Sequence, residues 1–185
     1  MKELKENLSF LRSKKRIFYF SIFLFFASTF LGYFFPLFEG TILKTIKELL
    51  KMFEGKNFFE SFLLLFFNNA RSSLFAIVLG LFFSVIPLLI LFFNGYLIGF
   101  VVNLVAKEKS LFEIWRLLPH GIFELPAFFI SCVLGMNLGL VVLREFSFKK
   151  TIESLEQALR IFVSILIPLL LIAAFIEALL IFSAK

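Results

Sequence analysis

Between Phe58 and Ala106 the chain runs almost without charge, Glu60 and Arg71 being the only charged side chains in that stretch. A soluble domain of this size cannot hide such a segment, because much of its surface must stay wet. A bilayer can, since its hydrocarbon core takes roughly 20 apolar residues per helix. The stretch therefore predicts two spans, Phe58–Phe83 and Val85–Ala106, divided by a tight hairpin near Ser84–Pro87. The competing partition places one span at Ser72–Phe93 between half-helices that break at Asn68-Asn69 and Asn94-Gly95. Composition agrees with the class: of 185 residues 61% are hydrophobic and 31 are Phe, more than a soluble chain carries.

Three further apolar runs read as spans, Ile17–Phe38, His120–Leu143 and Ile161–Ser183, the last with a kink at Pro168. The first follows a long charged segment and lacks a small-x-small cleavage site, so it reads as a retained helix and not a signal peptide. The expected fold class is all-α: one polytopic transmembrane helix bundle of about five spans, with short interfacial amphipathic helices. Met1–Arg16 is one of these, with Leu4, Leu8 and Leu11 on one side. Its closing cluster of Arg12, Lys14, Lys15 and Arg16 predicts a cytoplasmic N-terminus in a multi-pass protein of the cell membrane. Gly40–Asn57 is another, with Ile42, Ile46, Leu49, Leu50 and Phe53 opposite Lys44, Lys47, Glu48, Lys51 and Glu54. Lys107–Leu118, carrying Trp115 at interfacial depth, and Arg144–Arg160, with Ile152, Leu155 and Leu159 on one face, read as polar connectors. The net charge of +6, from 19 basic residues against 13 acidic ones, is dispersed along membrane-flanking segments, which argues against a nucleic-acid partner. Cys132 stands alone in an apolar run and reads as a small packing residue.

Polar groups at bilayer depth are expensive and need a partner, a cavity or a role. Counted by depth, Asn68, Asn69, Arg71, Asn94, His120, Glu124 and Glu177 all fall between mid-membrane and one face, which predicts a single intramembrane polar site. Arg71 is the cation most in need of compensation, and Glu124 and Glu177 are the anions available to pair with it. In the stretch Leu117–Ala127, Pro119 and Pro126 favour a helix start and Gly121 allows the backbone to depart from helix. With Pro126 in a first turn, Glu124 sits at a helix N-terminus, where the N–H groups favour negative charge. A second set of residues points to close packing: Ala127, Ser131, Gly135 and Gly139 on the fourth span, Ala76, Gly80 and Ser84 on the second, Gly95 and Gly99 on the third. Small residues four apart let helix backbones approach, within one chain or across a homodimer.

No nucleophile elbow, phosphate-binding loop or dinucleotide-binding glycine pattern is present, so an enzyme is not expected. His120 and Glu124 are weak metal candidates, supplying two ligands where a site needs more, and no cofactor is expected. The run L-P-H-G-I-F-E-L-P-A at Leu118–Ala127 resembles the signature of the stage II sporulation protein M family; Asn68-Asn69 with Gly80, and F-N-G-Y-L-I-G at Phe93–Gly99, fit in order. The resemblance implies a polytopic membrane protein of about five spans, with His120, Glu124, Asn94 and Gly95 as determinants. It also implies kinship with a protein that helps organise a peptidoglycan-degrading complex during engulfment of the forespore, although many relatives lack both spores and that wall. Two functions follow as expectations: a non-enzymatic scaffold that recruits a membrane or envelope protein partner, or a small-solute or ion transporter lined by the polar cluster. The first predicts Arg71, Glu124 and Glu177 dry and mutually paired; the second predicts a hydrated cavity and a helix broken at Pro119–Pro126.

Overall fold

The chain begins with a short amphipathic helix, α1 (Lys2–Ser13), and turns at Lys14 into the apolar α2 (Lys15–Phe34). The computed structural model describes residues 2–37, 39–108 and 118–183, with side chains at all of these except 2, 45–47, 49–50, 108 and 118–123. Among the described residues there is no strand. α2 stops short of the expected Phe38 because Pro36 disfavours helical dihedrals at the residue before it. Phe35 has already left the helix at φ −127° and ψ 74°. α3 (Glu39–Lys51) is the expected amphipathic helix, with Lys44, Glu48 and Lys51 exposed.

The long apolar run folds as two antiparallel helices, α4 (Phe58–Val78) and α5 (Val85–Glu108). A capping box starts α4: the Asn57 side chain accepts from the Glu60 N–H, and the Glu60 carboxylate accepts from the Asn57 N–H, each at 2.9 Å. A 3₁₀ turn, Leu79–Leu81, ends it. Phe83 and Ser84 then take φ of 54° and 66°, uncommon for residues with a side chain. That turn is anchored where the Ser84 hydroxyl donates to the Met136 carbonyl at 2.8 Å.

α6 (Leu118–Glu145) continues unbroken through Pro126. α7 (Phe148–Ile161) follows a two-residue turn and runs through a π-helical segment, Phe162–Leu166, into α8 (Ile167–Ser183). The reading of Arg144–Arg160 as a connector is corrected here, since most of it is helix continuous with the last apolar run. Amphipathic helices and polar connectors share a composition, and only periodicity separates them. The continuous helix Phe148–Ser183 has 36 residues, about 54 Å at 1.5 Å per residue, against a hydrocarbon core of about 30 Å. Its amphipathic first third therefore extends past that thickness. The π segment has a local cause: Pro168 has no N–H for the Ser164 carbonyl, and its ring crowds that oxygen.

Among the described residues five helices are long and apolar enough to cross a membrane: Lys15–Phe34, Phe58–Leu81, Val85–Lys107, Glu124–Glu145 and Phe148–Ser183. The fourth is 61% buried along its apolar stretch, against 22–28% for the others, so α6 is the central post. Two seams set the packing. Gly135 and Gly139 of α6 lie against Ala76, Gly80 and Ser84, so closely that a Cβ at Gly135 would run into the Ala76 carbonyl. Gly95 and Gly99 of α5 lie against Phe25, Ser28 and Thr29 of α2 in the same way. Around these seams the core is aliphatic between α4, α6 and α8, and aromatic between α2 and α6, where Phe25 and Phe129 meet edge to face at 5.1 Å.

Candidate functional site

The structure distributes the residues of the expected polar site over separate places. Arg71 lies thirteen residues into α4, about 20 Å from its first residue and about 15 Å from Leu81. It faces outward with Asn68 and Ser72, while Asn69 is half-buried. The buried face of the helix is the opposite one, bearing Ser73, Ala76 and Ile77. Its guanidinium carbon sits 5.6 Å from the centroid of the exposed Phe75 ring, one turn along the same face. The expected pairing of Arg71 with Glu124 or Glu177 is corrected: among the described residues it makes no salt bridge. Depth along a helix is legible in a sequence, but the side of the helix is not, and Arg71 lies on the exposed side of α4. A cation at the bilayer centre costs on the order of 3 kcal/mol, and the Phe75 ring returns only part of that.

Asn94 is also outward-facing, and its side-chain amide donates to the Ile90 carbonyl of its own helix at 2.7 Å. Its neighbour Gly95 faces the other way, buried against α2. Glu124 and Glu177 are both half-buried, one on α6 and one on α8, two helices packed against each other. Glu124 is not at a helix start, because α6 begins at Leu118 and passes through Pro126. Pro119, His120 and Gly121 fall in the first turns of α6. The His120 side chain, a weak metal candidate with Glu124, falls outside the described side chains, and Trp115 outside the described residues. Among the described residues no group of three or more His, Cys, Asp or Glu gathers as a metal site.

The small-residue stripes all face inward. Ala127, Ser131, Gly135 and Gly139 are buried on α6, as are Ala76, Gly80 and Ser84 opposite them. Sequence reasoning missed a second polar set, at the end of the bundle where α1 meets α7. Asn7 is only 2% exposed. Its amide donates to the Ser164 hydroxyl at 2.9 Å and its oxygen accepts from the Gln157 amide at 2.8 Å. Ser164 in turn donates to the Arg160 carbonyl at 2.7 Å. Asn137 donates to the Ser154 hydroxyl at 3.2 Å, tying α6 to α7. The readable signal was Asn7 itself, a polar residue inside the Leu4, Leu8, Leu11 stripe. At the other end the Tyr96 hydroxyl donates to the Phe35 carbonyl at 2.7 Å, and the Asn103 amide donates to the Tyr33 carbonyl at 2.9 Å.

An all-α bundle with, among the described residues, five helices fit to cross a bilayer, and with glycine seams joining α4 to α6 and α2 to α5, defines a membrane protein. The chain belongs to the stage II sporulation protein M family, which it matches over residues 21–180. That match runs from within α2 to within α8 and leaves α1 outside it. The chain is also similar to an uncharacterized protein of Methanocaldococcus jannaschii, with 30% identity over 115 residues, 60% of this chain and 65% of that protein. The match thus spans just under two thirds of that relative's length. No solved structure matches the chain.

Proposed function

We propose that the chain is a non-enzymatic, multi-pass membrane scaffold, with its N-terminus on the cytoplasmic side, that organises or recruits a membrane complex. Neither discriminating expectation is met, since among the described residues Arg71 does not pair with the acids and α6 is not broken at Pro119–Pro126. The observation that carries this reading is instead the direction of the mid-depth polar side chains. Asn68, Arg71, Ser72 and Asn94 face out of the bundle and not into a shared interior path. Residues turned toward the surroundings at that depth serve contacts with other chains better than conduction. The glycine seams support the same reading from the other side, since they are used inside the chain and hold a fixed platform. Family membership is consistent with a membrane-complex role. The test is affinity purification from native host membranes in mild detergent, with intact mass and quantitative proteomics. A stoichiometric membrane partner is the expected result; a clean homo-oligomer with no partner counts against the scaffold.

A second reading rests on one observation, the half-buried Glu124 and Glu177 carried on the packed helices α6 and α8. Two acids at membrane depth on neighbouring helices suit a cation or proton path. Flux in proteoliposomes that falls in Glu124→Gln favours transport; wild-type protein indistinguishable from empty liposomes removes it.

A further inference from the structure

Among the described residues no carboxylate pairs with the Arg71 guanidinium. Its position, about 15 Å from the nearer end of its helix, is farther from either interface than an arginine side chain reaches by snorkelling. Its face of α4 is built for a helix. Phe67 and Phe75 stand 62% and 49% exposed a turn to either side, and Asn68 and Ser72 lie beside it as hydrogen-bonding groups.

We infer that this face of α4 docks a transmembrane helix of a different protein bearing a carboxylic acid at mid-membrane depth, held by Arg71. The inference rests on the scaffold reading and gives the partner its chemistry. Charge complementarity selects the occupant. A second copy of this chain packed through α4 about a two-fold axis brings two Arg71 guanidinium groups together. Nor does it offer an exposed acid at that depth among the described residues, because Glu124 on α6 and Glu177 on α8 are half-buried and Glu60 lies at the end of α4. A lipid phosphate sits at the interface, a hydrocarbon half-thickness away. A carboxylic acid on a neighbouring helix meets the guanidinium at its own depth, where hydrogen bonds between helices count.

The test uses the full chain in phosphatidylcholine nanodiscs and a synthetic Leu/Ala single-span helix with one central Glu. Energy transfer between the two is compared with that of otherwise identical helices carrying Gln or Leu. The Glu helix is expected to bind roughly tenfold more tightly than the Leu helix. That preference is expected to vanish in Arg71→Leu and to persist, weakened, in Arg71→Lys. Leucine suits a lipid-facing position, so the variant is expected to fold. Equal binding of the three helices, a Glu preference that survives Arg71→Leu, or self-association of the chain that excludes the probe overturns the inference. Native purification keeps the two readings apart: a stoichiometric partner that Arg71→Leu still retains leaves the scaffold standing and sinks the arginine dock.

Discussion

An asparagine in a leucine stripe is costly to bury unless both ends of its amide are bonded, and Asn7 is bonded at both, to Gln157 and Ser164. Asn7→Leu removes both bonds. Gln157 is half-buried and Ser164 exposed, so water takes up part of the loss and the cost stays near the net worth of a hydrogen bond, about 0.5–1.5 kcal/mol each; the variant should melt earlier in detergent. The double variant Asn7→Leu/Gln157→Leu should lose less than the sum of the singles, because the second change removes a group that the first left unpaired. Strict additivity would mean that the three side chains do not act as one network. Gly135 makes the steric counterpart. Gly135→Leu drives a side chain into the Ala76 carbonyl and the Pro87 ring, and overpacking costs about 1–3 kcal/mol or more where backbone stands in the way. Gly40→Leu, with nothing within 4 Å of its Cβ, is the matched control and should leave the melting temperature unchanged.

At the scale of elements, the π segment before Pro168 sets how α7 is rotated relative to α8. Pro168→Ala restores an N–H that can bond the Ser164 carbonyl, which favours ordinary α-helix through Phe162–Leu166. Removing the bulge turns α7 by about one residue, roughly 100°, and carries Gln157 and Ser154 away from Asn7 and Asn137. Hydrogen exchange should then quicken in α1 while α8 stays protected; an unchanged α1 would count against the bulge as the device that orients α7. Elements of this kind were only partly legible in the sequence. The five long helices announce themselves because a bilayer demands runs of about 20 apolar residues, and the small-residue stripes announce seams because only small side chains permit such an approach. Which stripe meets which is a three-dimensional fact. Nothing in the order of residues told Gly135 that it would face Ala76, or Gly95 that it would face Phe25. The Arg71 pairing failed for the same reason, since depth fixes one coordinate and the direction around the helix axis is set by packing. Pro126 misled because a helix with neighbours on its flanks tolerates an interior proline that a free helix does not.

At the scale of the whole molecule, α1, α7, the Phe83-Ser84 turn and the start of α2 gather at one end, and α3 with the start of α4 at the other. If the five apolar helices cross, residues at these two ends lie on opposite sides of the membrane. The basic cluster Arg12, Lys14, Lys15 and Arg16 then places the α1 end in the cytoplasm, because translocating such a cluster is disfavoured. Three single-cysteine variants test this in a Cys132→Ala background, which removes the one native thiol. Ser13→Cys and Phe148→Cys report on the α1 end, and Glu54→Cys on the other; all three positions are exposed. In intact cells an impermeant maleimide should label Glu54→Cys alone, and after permeabilisation it should label all three. Labelling of Glu54→Cys and Phe148→Cys from the same side would refute the five-crossing arrangement. Labelling of Ser13→Cys and Phe148→Cys with Glu54→Cys protected would keep the crossings and invert the protein. That inversion would leave Arg71 at the same depth on the same outward face, because a residue near the middle of its helix stays at the bilayer centre whichever end is inside. The arginine dock therefore depends on the crossings and not on their direction, whereas the positions of α1 and α7 relative to the cytoplasm depend on both.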